Sequence, residues 1–575
     1  MAKKKKIFFY IYFFLAIISV KAQQKIDPYH FDIHKHIFCN KGAVVSANAL
    51  ASQVGINILK QGGNAIDAAI ATQLALAVVY PGAGNIGGGG FLVAHLKNNS
   101  LPNSSGKNIT LDYREAAPSA ATKNMYLDSN GNPQTKLSID GHLAVGVPGT
   151  IAGLLASMKY AKLPFKKLIG PAIILAEKGF AISAAQAKSF NEDREDFINQ
   201  NTQTPVFVKD NLWKEGDTLI QKDLANTLSR IRDYGLKGFY EGQTAKLIIK
   251  EMQRGKGIIT ADDLKNYKAR ERRPVTFNYK GYTIITMPLP SSGGIILQQM
   301  LKMIEKRNIG AMKFQTTQSV QLMTEVERRA FADRAQFLGD PEFVKVPVKT
   351  LVSEKYLSRR MSNYQPGKAG NSTEITAGKI NVESEETTHL NVVDNEGNAV
   401  SVTTTLNNSY GSKTVVAGAG FILNDEMDDF SVKPGVPNLY GAVGNEANAI
   451  APNKRMLSSM TPTIVLKNNT PYLVTGTPGG TTIPTSVFQT IVNIVDFKMS
   501  TEDAVNKPKF HHQWLPDEIF VEKDFSENVR DELVKMGYKV NDRGEIGRTE
   551  VIKVLPGKKL EAVADKRGDD AAEGF

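Results

Sequence analysis

The chain has 575 residues, a formal net charge of +12 at pH 7 and 42% hydrophobic residues. This length and composition allow a sizeable buried core and exclude collagen-like, disordered and multi-span membrane classes. The basic residues are scattered among acidic ones rather than gathered in stripes, so nothing indicates a nucleic-acid partner.

The first 22 residues have the pattern of a secretory signal peptide. Four lysines at positions 3–6 precede an apolar run of 14 residues, 7–20, and Val20-Lys21-Ala22 offers small residues at the two positions that define a cleavage site. A membrane-spanning helix needs about 20 residues. We therefore expect export to the periplasm or the cell exterior with no stable membrane span. An uncleaved signal anchor is the alternative.

Three features could carry thiol or metal chemistry, and for each the sequence favours a structural role. Cys39 is the only cysteine, so it has no partner for an internal disulfide. Residues 30–36 contain three histidines and one aspartate, but they lie in a terminal segment. His511 and His512 are adjacent, so their side chains are expected to point apart, and no acid or cysteine stands at ligand spacing.

The first predicted helices occupy residues 47–79. They flank Gly62-Gly63-Asn64, where Asn64 can cap the second helix and Asp67 can complete a capping box. The following run, Gly82–Gly87, matches G-x-G-x-x-G. A dinucleotide site needs a strand before this motif and a helix after it, and here the order is reversed. The run therefore predicts a tight turn with close backbone packing.

Further along, Ile109–Tyr113 is predicted to be a strand that ends at Arg114, and residues 148–270 are predicted to be mostly helical. Residues 365–386 are polar and predict an exposed linker. Directly after it, Thr388–Val393 and Ala399–Leu406 are strand-like runs joined by a strong turn. A linker that leads straight into a buried hairpin indicates that the junction itself has a function.

Thr387 lies at this junction. A hydroxyl is a weak nucleophile that needs a base, and an N-terminal threonine can use its own α-amine. The ordinary pKa of that amine, about 7.7–8.0, suits a general base at neutral pH. Such a terminus arises only if the Glu386–Thr387 bond is cut. On pattern alone the alternative stays open, because threonines also precede strands for their β propensity.

Eight short blocks lie in order along the chain: GGNAIDAA (62–69), GGGG (87–90), DYRE (112–115), TTH (387–389), NDEMDDF (424–430), KRMLSSM (454–460), TPGG (477–480) and ADKRGDD (564–570). Together they resemble the γ-glutamyltransferase (γ-glutamyltranspeptidase) family of N-terminal nucleophile hydrolases. The resemblance runs from about Ala43 to the end of the chain. It implies an α+β fold, a four-layer αββα sandwich.

The resemblance also implies self-cleavage into a large subunit, residues 23–386, and a small subunit, residues 387–575, that build one fold together. Thr387 would form a γ-glutamyl-enzyme from glutathione or another γ-glutamyl donor. Water, amino acids or short peptides would then accept the γ-glutamyl group. We expect no metal and no organic cofactor.

Individual roles follow from the matching positions. Thr405 would support the nucleophile, with Thr403 beside it on the same strand face. Gly479 and Gly480 would supply backbone donors to the developing oxyanion. Arg114 would grip the substrate α-carboxylate through its planar fork. The remaining substrate-binding residues are Ser458 and Ser459 at the carboxylate and Asn407, Glu426 and Asp429 at the α-ammonium.

The segment Pro437–Ala449 resembles a lid loop with Tyr440 as its gate, which would shield the acyl-enzyme from water. An acylase of the same fold that acts on glutaryl β-lactams is the alternative enzyme. An unprocessed relative that serves as an extracytoplasmic binding or scaffold protein is the alternative outside enzymes. The sequence leaves open the balance of hydrolysis and transfer, the acceptor and any higher assembly.

Overall fold

A computed structural model describes residues 26–97, 106–375, 387–433 and 445–575. The predicted signal peptide, Glu386 and Tyr440 therefore lie outside the described residues. Within those ranges, no helix combines the length and the apolar character needed to cross a membrane.

The strands and helices follow the chain in this order. The strands are β1 (His36–Cys39), β2 (Ala43–Ser46), β3 (Gly89–Leu96), β4 (Lys107–Asp112), β5 (Phe180–Ala181), β6 (Thr218–Leu219), β7 (Arg270–Arg272), β8 (Val275–Tyr279), β9 (Tyr282–Thr286), β10 (Thr388–Val393), β11 (Ala399–Thr405), β12 (Thr463–Lys467), β13 (Thr470–Gly476), β14 (Phe510–His511), β15 (Ile519–Val521), β16 (Val540–Asp542), β17 (Glu550–Val554), β18 (Leu560–Val563) and β19 (Ala571–Gly574). The helices are α1 (Ala49–Lys60), α2 (Ala65–Val79), α3 (Lys136–Ile139), α4 (Thr150–Ser157), α5 (Phe165–Lys178), α6 (Ala184–Glu192), α7 (Arg194–Gln200), α8 (Lys222–Tyr234), α9 (Lys237–Tyr240), α10 (Gly242–Arg254), α11 (Ala261–Asn266), α12 (Gly293–Ile304), α13 (Ile309–Met312), α14 (Thr317–Phe337), α15 (Val348–Leu351), α16 (Glu354–Arg360), α17 (Thr482–Val495), α18 (Thr501–Asn506) and α19 (Glu527–Lys535).

Two seven-stranded antiparallel sheets dominate the fold. One has the order β1-β18-β17-β13-β12-β9-β8 and the other the order β19-β2-β10-β11-β3-β4-β7. Strands from before and after position 387 lie side by side in both sheets. The two parts of the chain therefore share both sheets, and the apolar layer between the sheets contains side chains from each part.

The sheets face each other across an apolar inner layer that includes Val45, Phe91, Val393 and Ile552. On the outer side of the second sheet, α1, α2, α5 and α8 close one core. On the outer side of the first sheet, α12, α14 and α17 close another. The prediction of a four-layer αββα sandwich is confirmed.

Several local predictions are confirmed as well. Asn64 and Asp67 form the predicted capping box of α2. The hairpin β10–β11 runs in register from Thr388 opposite Thr404 to Val393 opposite Ala399. The glycine-rich run is a turn between α2 and β3, and a Cβ at Gly87 would lie 2.1 Å from the carbonyl oxygen of Ile422.

The prediction of an exposed linker over 365–386 holds for most of residues 365–375, seven of which are exposed, and is wrong at Ser372 and Ile375. Ser372 and Ile375 are buried, and their carbonyl oxygens accept hydrogen bonds from Trp514 Nε1 at 3.1 and 2.9 Å. The prediction rested on the polarity of the side chains, whereas these contacts are made by backbone carbonyl groups, which every residue carries. Residues 376–386 lie outside the described residues.

The inner layer also contains two fully buried carboxyl groups, Glu550 on β17 and Asp570 just before β19. They lie within hydrogen-bond distance of each other, and among the described residues neither carboxyl accepts a hydrogen bond from a donor, although Arg548 Nε lies 3.8 Å from Asp570 Oδ2. Burial, with the neighbouring acid, raises the pKa of Glu550 well above its ordinary value, and burial raises that of Asp570. Two acceptors in contact need a proton between them, so we infer that the pair shares one.

We expect the fold to become less stable as the pH rises, because the pair then loses this proton. The unfolded chain releases it near the ordinary glutamate pKa of about 4.3, whereas the folded chain keeps it to a higher pH, so the free energy of unfolding falls between those two values. Glu550→Gln donates to Asp570 without a titrating proton. Its melting temperature should exceed that of the wild type at pH 8 and should fall less between pH 5 and pH 8.

Thermal melts at pH 5, 6, 7 and 8 make the measurement, and the exposed Glu215→Gln is the matched control. Parallel curves for the wild type and Glu550→Gln would contradict a shared proton.

Candidate active site

Thr387 lies immediately before β10, and the residue is only 5% exposed. Within the hairpin, Thr388 pairs with Thr404 and His389 pairs with Thr403. Because paired residues share a face and alternate residues return to it, Thr387 and Thr405 continue the row that His389 and Thr403 begin. This row lies on the face turned toward the other sheet, since Val393 on the same face belongs to the inner layer.

The end of β11 is fixed by amide and backbone hydrogen bonds. Asn85 Nδ2 donates to the Thr405 carbonyl oxygen at 2.8 Å and to Thr404 Oγ1 at 3.1 Å. The backbone N–H of Asn407 donates to Thr405 Oγ1 at 2.8 Å. These contacts fix the orientation of the Thr405 hydroxyl, because one of its lone pairs accepts a hydrogen bond from Asn407. The hydroxyl lies in the same row as Thr387.

Arg114 follows β4 and is completely buried. Its guanidinium group forms hydrogen-bonded ion pairs with Glu426 and Asp429, and Glu115 Oε2 lies 3.6 Å from Nη1. Arg114 also donates to the backbone carbonyl of Met456 at 3.4 Å. One buried cation is therefore surrounded by three carboxyl groups.

The charges in this pocket shift one another's pKa values. Burial works to lower the pKa of Arg114, but Glu426, Asp429 and Glu115 outweigh it and raise that pKa above its ordinary value. Burial raises the pKa of Glu115 to about 7 against the opposing effect of Arg114. Burial likewise raises the pKa of Glu426 and of Asp429. The pocket therefore holds more carboxyl groups than one guanidinium can balance, and a further cationic group would be stabilised there.

Asn424 holds the acidic turn Glu426–Asp429 in place. Its Nδ2 donates to the carbonyl oxygens of Gly87 and Gly146, each at 2.8 Å. Its Oδ1 accepts from the backbone N–H groups of Gly146 and Glu426 at 2.9 and 3.1 Å. One buried amide thus joins the acidic turn to the segment before β3 and to the segment before α4.

The two serines lie beside the same pocket, and a second arginine accompanies them. Arg334, on α14, donates to Ser459 Oγ at 3.0 Å through Nη2 and to Ser292 Oγ at 3.0 Å through Nε. Ser458 Oγ accepts from the backbone N–H of Met460 at 3.2 Å. Arg334 also opposes the rise in the pKa of Asp429. Ser458 and Ser459 therefore add hydroxyl groups to the pocket, and Arg334 adds a positive charge.

Gly479 and Gly480 connect β13 to α17 with φ angles of +128° and +49°. Such angles favour glycine. The Gly479 carbonyl oxygen accepts a hydrogen bond from the backbone N–H of Thr482 at 2.8 Å, so the two glycines directly precede the N-terminus of α17. Helix N-termini carry partial positive charge and attract anions. The position suits the predicted binding of an oxyanion.

The predicted residues thus form two groups. Arg114, Glu426 and Asp429 are in direct contact. Thr387, Thr403 and Thr405 form the inner-face row. Asn407 lies next to both groups, because it follows Thr405 by two residues and its Nδ2 donates to the carbonyl of Asp425 at 3.1 Å, next to Glu426.

Sequence reasoning gave no role to five residues at the site: Asn85, Glu115, Arg334, His389 and Asn424. Glu115, His389 and Asn424 fall inside blocks that carried the resemblance, so those blocks were the available signal. Arg334 lies in the long helix α14, outside every block, and only the folded chain brings it to Ser459. Among the residues with described positions, no three His, Cys, Asp or Glu side chains are grouped to hold a metal ion.

Two facing sheets between helical layers, with a threonine opening an inner strand, define the N-terminal nucleophile hydrolase class. The family profile described as Gamma-glutamyltranspeptidase matches residues 51–575. The glutathione hydrolase proenzyme of Escherichia coli (strain K12) is 44% identical over 566 residues, which cover 97% of this chain and 96% of that protein. This chain belongs to the γ-glutamyltranspeptidase family.

Solved structures agree with this membership. The γ-glutamyltranspeptidase of Helicobacter pylori is 44% identical with a TM-score of 0.56, over 61% of this chain and 97% of that one. A cephalosporin acylase from Bacillus halodurans has a TM-score of 0.82 at 24% identity, over 96% of this chain and 99% of that one, which supports the fold.

Removing the Asn424 amide should destabilise the protein. Asn424→Ala loses four hydrogen bonds of about 1 kcal/mol each and leaves buried partners unsatisfied, so we expect a loss of about 2–4 kcal/mol. The melting temperature should fall by several degrees. Asn130→Ala, at an exposed turn, is the control and should leave the melting temperature unchanged. Equal melting temperatures for the two variants would show that Asn424 does not hold the turn.

Proposed function

We propose that this protein is an exported, self-processing γ-glutamyltransferase and glutathione hydrolase with Thr387 as its nucleophile. The observation that carries the proposal is the charge arrangement around Arg114. There a buried guanidinium group pairs with Glu426 and Asp429, and Glu115 adds a third carboxyl. Family membership supplies the reaction class.

The pocket suits the amino-acid end of a γ-glutamyl group. That end is a zwitterion, whose α-carboxylate pairs with the fork of Arg114 and whose α-ammonium replaces Arg114 as the partner of Glu426 and Asp429. Each ion pair that Arg114 makes with Glu426 and Asp429 is thus exchanged for an equivalent one, and no buried charge is left alone. A glutaryl group has no α-ammonium, so it would leave these carboxyl groups without a cation.

Maturation uses the Thr387 hydroxyl against the chain itself. Oγ attacks the carbonyl carbon of Glu386, the bond from that carbon to the Thr387 nitrogen breaks, and the nitrogen takes up the hydroxyl proton. Water then hydrolyses the ester, which yields the Glu386 carboxylate and restores the hydroxyl. The products are the large subunit, residues 23–386, and the small subunit, residues 387–575.

Turnover repeats this chemistry on a donor. The α-amine of Thr387 takes the hydroxyl proton while Oγ attacks the γ-carbonyl carbon of the donor. The backbone N–H groups of Gly479 and Gly480 stabilise the oxyanion. The proton passes to the departing amine, and an ester joins the γ-glutamyl group to Oγ. Water or an acceptor amine then attacks the ester, and its proton returns through the α-amine to Oγ.

Two further elements of the proposal fall on residues outside the described ranges. The signal peptide, residues 1–22, directs the protein to the periplasm or the exterior. Tyr440, the gate of the lid loop that the resemblance implies, would shield the acyl-enzyme from water and so let an amine acceptor compete.

Intact mass spectrometry tests the nucleophile first. We expect the purified wild type to give two chains, the smaller beginning at Thr387, and Thr387→Ala to remain one chain. Thr387→Ser keeps the hydroxyl, so it should still cut, more slowly. A wild type that stays uncut after long incubation at neutral pH would overturn the proposal.

A pair of anilide substrates tests the pocket. The wild type should hydrolyse a γ-glutamyl anilide and have little activity on the glutaryl anilide. Asp429→Asn removes a charge-assisted contact worth about 1.5–3 kcal/mol, so KM for the γ-glutamyl anilide should rise about 10- to 100-fold. Glu215→Gln is the control for a lost surface charge. Comparable activity on both anilides would favour the glutaryl acylase alternative.

A further inference from the structure

A buried imidazole lies two residues after Thr387 on the same face of β10. His389 Nδ1 is 2.9 Å from Thr403 Oγ1, and Nε2 is 3.0 Å from Asn391 Oδ1 and 3.3 Å from Ser401 Oγ. A Cβ at Gly476 would lie 2.1 Å from His389 Cε1, so the ring lies directly against the backbone of β13. The ring is therefore held on three sides.

The neighbours of His389 determine which ring nitrogen carries the proton. Asn391 Nδ2 donates to the Glu550 carbonyl oxygen at 2.9 Å, so the Asn391 oxygen faces Nε2. Ser401 donates its hydroxyl proton to the Thr475 carbonyl oxygen at 3.2 Å and offers Nε2 a lone pair. Both partners of Nε2 are acceptors, and Nε2 must carry the hydrogen.

The other ring nitrogen is then an acceptor. Burial lowers the pKa of His389 to about 3, so the ring is neutral at physiological pH and Nδ1 has a lone pair. The Thr403 hydroxyl must donate its proton to that lone pair. The remaining lone pairs of Thr403 Oγ1 are left for other neighbours along the row that contains Thr405 and Thr387.

We propose that His389 is a positioning residue for the chemistry at Thr387, acting through Thr403. This inference rests on the proposed role of Thr387. An α-amine that serves as the base must keep its lone pair for the Thr387 hydroxyl proton and needs acceptors for its N–H bonds. Thr403 lies next along the row to Thr405, the cross-strand neighbour of Thr387, and its hydroxyl, committed to His389, presents only lone pairs to that row. A freely rotating Thr403 hydroxyl would add a donor to the row that competes for the lone pair of the base.

The alternative is that His389 only fills the core. A core residue would lose stability together with activity, so the melting temperature of every variant is measured beside its kcat. A double-mutant cycle separates the two roles, because residues that act in series do not multiply their effects.

The cycle combines His389→Leu, which has a similar volume and no ring nitrogen, with Thr403→Val, which has a similar shape and no hydroxyl. We expect each single variant to lower kcat for γ-glutamyl anilide hydrolysis about 10- to 100-fold at unchanged KM, because a misplaced α-amine loses part of the roughly 100- to 10,000-fold that a positioned proton-transfer group contributes. The double variant should be no slower than the slower single variant. Thr403→Ser, which keeps the hydroxyl, should retain most of the wild-type kcat.

Processing and folding of the variants also bear on the result. A His389 or Thr403 variant that remains uncut would overturn the positioning role, because cleavage takes place before the α-amine exists and a defect there cannot act through that amine. If His389→Leu does not fold, His389→Gln takes its place, since the glutamine oxygen can accept from Thr403, and partial recovery relative to Thr403→Val is expected. Losses that multiply in the double variant, or a change in KM alone, would overturn the positioning role. An uncut wild type would instead overturn the proposed function.

Discussion

The pairing of β10 between β2 and β11 is the constraint on which the site depends. It places residues from the middle of the chain in the interior of a seven-stranded sheet and turns Thr387, His389 and Asn391 toward the opposite sheet. Register fixes which residues meet, since a shift of one residue would turn the whole row to the helical side. The same pairing interleaves the parts of the chain before and after position 387, so a cut at that position would leave the layers intact.

Around this hairpin the inner layer changes from apolar to polar. Val393 belongs to the apolar part, whereas His389 and Asn391, on the same face, make a continuous chain of hydrogen bonds. Buried polar groups are costly unless each has a partner, and networks of this kind hold side chains in one arrangement. The polar end of the layer therefore has the rigidity that catalysis by a small hydroxyl group demands.

The pocket around Arg114 depends on ion pairs rather than on a network of neutral hydrogen bonds. Its ion pairs are buried, and removing one member of such a pair is far more damaging than its net contribution to stability suggests. Burial raises the pKa values of Glu115 and Glu426, and the opposing effect of Arg114 does not cancel that rise. A ligand that brings both an anion and a cation matches this pocket better than a ligand with either charge alone.

The sequence by itself determined the elements whose signals are local. The capping box of α2 and the β10–β11 hairpin could be predicted, because capping, alternation and turn chemistry act between neighbours in the chain. The order of layers was predicted only through the resemblance of the eight sequence blocks to a known family. The linker prediction failed at Ser372 and Ile375 because their backbone partner, Trp514, is remote in sequence. Only the tertiary structure brought Arg334 to Ser459 and gave His389 a defined tautomer. Those properties depend on distances between residues far apart in the chain, which composition and periodicity do not encode.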